Sequence, residues 1–188
     1  MPRKPDAALE NRILDAAYKL WSKRGEDALT MRAVARAAGT TTPTLYQRFR
    51  DKRDLVVPLR ARALEKLVSV LQPASSPVTT CDLFLGFAYT HPQEYRLLTS
   101  DWAVRLSHPE PRPTFELIKK RLATQLGGEP EEHARLALAL GALVHGTAMM
   151  LLAEGVQEKV SRELRSACHE ACESLIDSAA RKRAHRNG

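Results

Sequence analysis

The sequence predicts an all-α fold, and three observations carry that expectation. No stretch alternates apolar and polar residues convincingly with period two, whereas apolar residues recur three and four apart along most of the chain, as one face of a helix requires. Gly25, Gly39, His91-Pro92, "HPEPRP", Gly127-Gly128 and Gly155 punctuate these periodic runs at places where a helix can stop. With 188 residues, 44% of them hydrophobic, the chain is long and apolar enough to bury a real core.

Taken in order, the first helix follows Asp6 as N-cap, carries Leu9, Ile13, Leu14, Ala17, Leu20 and Trp21 as its apolar stripe, and stops near Gly25. A second follows Thr30 as N-cap, buries Met31, Val34, Ala35 and Ala38, and meets Gly39, which suits a left-handed C-terminal position. A third opens at Thr41 or Thr42, with Pro43 in its first turn, where a missing N–H costs nothing. After the short link Arg50-Asp51-Lys52, a longer helix carries Leu55, Val56, Leu59, Ala63, Leu67 and Val70, slightly kinked at Pro58. "QPASSPVTT", residues 72–80, reads as a linker, and helical runs follow at about 80–90, 92–101, 113–127, 130–153 and 160–181. The expected division is a domain at 1–55, a second at 56–181 and a disordered basic tail at 182–188.

Net charge is +7, unevenly placed: residues 1–55 carry 12 basic and 7 acidic groups, residues 56–180 carry 13 and 15, and the last eight residues add 4 basic groups. A basic N-terminal module on a slightly acidic body is the layout of a chain whose first part meets a polyanion. Three scattered cysteines, Cys81, Cys168 and Cys172, make no disulfide framework and point to a reducing compartment. "MPRKPDAALENR" has no apolar run of the secretory kind, so a cytoplasmic placement is expected. Residues 136–153, "LALALGALVHGTAMMLLA", run 18 residues without a charge, the lower limit for a membrane span. His145 near the centre and the isolation of the stretch favour a core helix, and no membrane is expected.

The second and third helices have helix-turn-helix spacing, with small Ala35 where they cross, Gly39 in the turn and Leu45 locking the second member. Projected at 100° per residue, Leu45 and Phe49 share the inner face. Pro43, Thr44, Gln47 and Arg48 lie outside, with Tyr46 to one side. Thr and Gln bond base edges, a proline ring packs on a thymine methyl, and Arg48 can reach phosphate or guanine. Thr41, at the helix opening, belongs to the same close approach, and free N–H groups at the helix starts suit phosphates.

The run "LTMRAVARAAGTTTPTLYQRFRDKRDLV", with "NRILDAAYKLWSKRGEDA" before it, resembles the DNA-binding domain of the TetR family of bacterial transcription regulators over about residues 9–57. The resemblance implies that Thr30, Tyr46 and Lys52 bind phosphate and that Arg32, Thr42, Pro43, Thr44 and Gln47 read bases. Thr40 stands where the family usually has valine, and Thr42-Pro43 replaces a frequent Lys-Gly, which removes a positive charge and implies a different operator. "HPQEYRLL" and "ALVHGTAMMLL" resemble, more loosely, a ligand-binding and dimerisation domain of that family, although the usual tryptophan before the His-Gly pair is missing. That resemblance implies a homodimer through the helices at about 130–153 and 160–181, and a small-molecule ligand. The long apolar helix supports it physically, being apolar on more faces than one core uses.

Trp102, His145 and Met149 are the candidate ligand contacts, although a lone His on an apolar helix is more often a core or interface residue, and Trp102 and Met149 are more often core or pocket wall. Cys168, Cys172 and adjacent His169 offer only two ligands in one direction, so no metal and no cofactor are expected, and a redox role for the pair stays open. No Gly-rich phosphate loop, G-x-S-x-G, H-E-x-x-H or carboxylate pair is present, which argues against an enzyme. The expectation is a sequence-specific, homodimeric DNA-binding regulator, a repressor released from an inverted-repeat operator by a ligand. The alternatives are the same regulator without an inducer, and a helical dimer that binds nucleic acid without sequence preference.

Overall fold

The computed structural model describes residues 7–100 and 112–187, so the Asp6 cap and the Trp102 candidate lie outside the described residues. The helices are α1 (Ala7–Arg24), α2 (Met31–Ala37), α3 (Thr42–Tyr46), α4 (Lys52–Leu71), α5 (Pro77–Thr90), α6 (Pro92–Thr99), α7 (Pro113–Leu126), α8 (Ala134–Leu151) and α9 (Glu158–Asn187). Two short 3₁₀ turns, Glu26–Ala28 and Pro130–His133, complete an all-α architecture with no strand among the described residues.

The chain divides into two compact units. The first takes residues up to 65 together with 93–100, and the second takes 66–92 and the residues from 112 onward. In the first, the core is Ile13, Ala17, Trp21, Leu29, Val34, Leu45, Leu55, Leu59, Tyr95 and Leu97, all nearly or wholly buried. The α6 segment belongs here because α1 holds it with polar bonds. Trp21 Nε1 donates to the Gln93 carbonyl at 3.0 Å, and Ser22 Oγ and Tyr18 OH donate to Glu94 Oε1 at 3.0 and 3.4 Å. Glu94 is only 3% exposed, and burial, reinforced by its charge, pushes the Tyr18 phenol up to about 12. Gly25 ends α1 at φ 70°, where a side chain would also meet Gln93 Oε1 at 2.6 Å. Met31, expected in this core, is only half-buried, since α2 turns Val34, Ala35 and Ala38 inward and leaves its first residue at the rim.

In the second unit, α8 and α9 pack on each other and both pack on α5 and α7. Leu71, Leu85, Leu122, Leu140, Val144, Ala148, Cys172 and Ile176 form its centre. Arg121 reaches from α7 to the end of α4. It donates to the carbonyls of Leu71 at 2.8 Å and Gln72 at 3.0 Å, and to Thr80 Oγ1 at 2.7 Å, so it satisfies carbonyls that the helix end leaves open. Lys119 is buried between Glu116 at 2.9 Å and Glu131 at 2.6 Å.

Two sequence expectations are corrected. The linker read at 72–80 ends at Ser76, whose Oγ accepts the Thr79 N–H at 3.1 Å, and Pro77 opens α5 as its first residue. The tail read as disordered from 182 continues α9 to Asn187. No glycine or proline interrupts residues 158–187, basic side chains suit a helix C-terminus, and Arg183 pairs with Glu132 at 2.8 Å. The segment at 130–151 is long and apolar enough to cross a membrane, while a third of its most apolar window is buried inside its own unit.

Candidate nucleic-acid interface

Local chemistry sets the geometry of α2 and α3. Thr30 holds extended backbone at φ −110° and accepts the Ala33 N–H on Oγ1 at 3.1 Å, a threonine N-cap. Gly39 takes φ 64°, a left-handed residue that reverses the chain after α2, and Thr40 N–H closes the turn on the Ala35 carbonyl at 2.9 Å. Thr41 then caps α3, accepting the Thr44 N–H at 3.3 Å, with the two hydroxyls 2.8 Å apart.

The helix itself is short. Gln47 N–H bonds to Pro43 and Phe49 N–H to Leu45, after which the chain leaves helical geometry. Leu45 and Phe49 are buried, as projected. Pro43, Gln47 and Tyr46, the last 52% exposed, face outward, and Thr42 and Thr44 are half-buried. Arg48 departs from its projected place. It is half-buried, and its Nε is closed from solvent without a hydrogen-bond partner. A side chain in that position reaches an anion only by turning outward.

The start of α4 adds the remaining candidates. Asp51 Oδ1 accepts the Asp54 N–H at 2.9 Å, so Lys52, read as part of a link, is the first helical residue. Lys52 Nζ lies 3.2 Å from the Glu26 carbonyl and 3.1 Å from its carboxylate. Arg50 grips Asp54 with two bonds of 2.7 and 2.8 Å, and this pairing holds the Asp54 carboxyl below its usual value. Arg32 is exposed on α2. Sequence reasoning missed Glu26 and the Arg50–Asp54 clamp. The clamp had a signal in its i,i+4 spacing.

The two described ligand candidates, His145 and Met149, belong to the second unit. His145 is half-buried, and burial lowers its pKa. Met149 is 54% exposed and shares a helical stripe with Leu138, Ala142 and His145. A polar cleft of about 280 Å³ in this unit is lined by other residues, among them Thr79, Gln125, His169 and Glu173. No group of three His, Cys, Asp or Glu side chains among the described residues is placed to hold a metal ion.

Two packed helices turning at a left-handed glycine, the second presenting proline, tyrosine and glutamine, define a helix-turn-helix module of the DNA-binding class, followed by a separate helical unit. Sequence comparison agrees on both parts. The chain belongs to the tetR family of bacterial regulatory proteins: the family model matches residues 13–58, and that of the tetracyclin repressor-like C-terminal domain matches residues 78–177. Over 90 residues it is 39% identical to the HTH-type transcriptional repressor KstR of Rhodococcus jostii (strain RHA1), covering 47% of this chain and 42% of that one. Over 104 residues it is 30% identical to the HTH-type transcriptional activator FasR of Mycolicibacterium smegmatis, covering 51% and 48%. The chain thus spans less than half the length of either curated relative. A crystal structure of a TetR-family transcriptional regulator from Streptomyces coelicolor superposes with TM-score 0.61 at 25% identity, covering 91% of this chain and 99% of the other.

Proposed function

We propose that the protein is a homodimeric, sequence-specific DNA-binding regulator working in the cytoplasm, a repressor that a small-molecule ligand releases from an inverted-repeat operator. The observation that carries the reading is the exposed face of α3, Pro43, Tyr46 and Gln47, held at the left-handed turn of Gly39 with Thr30 and Arg32 beside it on α2. The direction of regulation follows the relative of higher identity, a repressor by name. No catalytic step is attached to any residue.

Dimerisation is supported by a largely apolar, partly exposed stripe on each of α8 and α9. Leu138, Ala142, His145 and Met149 run along one helix at spacings of four, three and four, and Leu164, Ala167, Ala171 and Leu175 along the other at three, four and four. Leu138 is 51% and Leu175 38% exposed, an apolar surface that a second copy would cover isologously. In this arrangement His145 and Met149 are interface residues before they are ligand contacts. The ligand then belongs among the helices of the second unit, without named contacts.

Selection of bound duplexes from a random pool by the purified protein tests the reading. An inverted repeat is the expected outcome, and a pool without sequence preference would defeat it.

A further inference from the structure

We infer that a basic cleft between α1 and α2 is a second DNA-contacting surface, which binds the sugar-phosphate backbone beside the groove entered by α3. The inference rests on the DNA-binding reading above. The cleft has a volume of about 490 Å³; Ala16 and Ala38 form part of its floor, and Arg12, Lys19, Lys23 and Arg24 form its rim.

Arg12, Lys19 and Lys23 recur at seven and four residues and so share one face of α1, and all four rim cations are exposed. The single carboxylate in the lining, Asp15, is already bound to Arg62. None of the four cations has an ion-pair partner among the described residues, whereas Arg50, Lys52 and Arg62 in the same unit each hold a carboxylate. Four uncompensated cations around a concave floor of small residues suit a polyanion whose charges are spaced along a strand.

Position selects which polyanion. The α2 wall of the cleft, at Ala37 and Ala38, ends directly before the Gly39 turn, and α3 begins at Thr42. Four residues of chain span at most about 14 Å, comparable with the width of the major groove, about 12 Å. Long lysine and arginine side chains at that distance from a helix seated in the groove reach the phosphates that border it. Backbone contacts of this kind carry no sequence information and add affinity and salt dependence.

The test is the salt dependence of binding for the full chain and for the double variant Lys19→Ala, Lys23→Ala, on a selected duplex and on a random-sequence duplex. Each lost phosphate contact lowers the slope of log affinity against log salt by about 0.9, so the double variant should lose about 1.8 on both duplexes while its preference between them is unchanged. Lys19→Arg, Lys23→Arg keeps the charge and should keep the slope. An unchanged slope in the alanine variant would overturn the inference and leave the cleft to an acidic protein partner. Because the random-sequence duplex reports phosphate contacts by itself, a protein without sequence preference would fail the earlier reading and still decide this one.

Discussion

Lys52 and Glu26 are joined across 26 positions of sequence. The lysine ammonium lies 3.1 Å from the Glu26 carboxylate and 3.2 Å from the same residue's carbonyl, so the first residue of α4 is tied to the turn between α1 and α2. A phosphate approaching Lys52 competes with that carboxylate. The pair is solvent-exposed, and pairs of this kind are worth about 0–1 kcal/mol. Glu26→Gln should therefore tighten DNA binding by up to about fivefold at low salt, with the gain fading as salt rises. Fluorescence anisotropy titrations check it, and weaker binding by the variant would show that Glu26 positions Lys52 instead of competing for it.

Leu138→Glu should separate the dimer. Fully burying a leucine is worth roughly 1.5–3 kcal/mol, and an isologous interface counts the change twice, so dimer affinity should fall by at least about a hundredfold. Sedimentation equilibrium measures this directly. Operator affinity should fall with it, while helicity measured by circular dichroism stays constant.

Two histidines should titrate on opposite sides of their ordinary 6.5. Burial lowers His145, so its neutral form is favoured in the fold; that contribution is complete above the ordinary value and is lost as pH falls through and below it. His169 donates from Nδ1 to Asp82 at 2.9 Å, which raises its pKa; that contribution is present below the ordinary value and is lost as pH rises through the raised one. NMR titration should place the His145 midpoint below 6.5 and the His169 midpoint above it. Asp82→Asn should return His169 toward 6.5.

The features legible in the sequence were those fixed by neighbours in the chain. Thr30 as a cap, an opening of α3 at Thr41 or Thr42, a stop near Gly25, Gly39 as a left-handed stop, and Leu45 and Phe49 as an inner face all follow from spacing within one or two turns. Ser76 before Pro77 was an equally local start signal, outweighed by the linker-like composition around it. Contacts between distant positions left no such trace. Glu94 meets Tyr18 and Ser22 across 76 and 72 residues, and Arg121 reaches Leu71 across 50. The same limit explains the tail, whose helix is held by an arginine 51 positions from its carboxylate.

If α3 reads sequence, the full chain and Gln47→Ala differ on a selected duplex and not on its scrambled counterpart, compared at physiological salt. Gln47 is exposed at the end of α3, outside the core, so its loss should leave the fold intact. A loss of at least about tenfold is expected on the selected duplex, within the range of about 1–3 kcal/mol for a good base contact, with a much smaller change on the scrambled one. Equal affinity of both proteins for the selected duplex would contradict it.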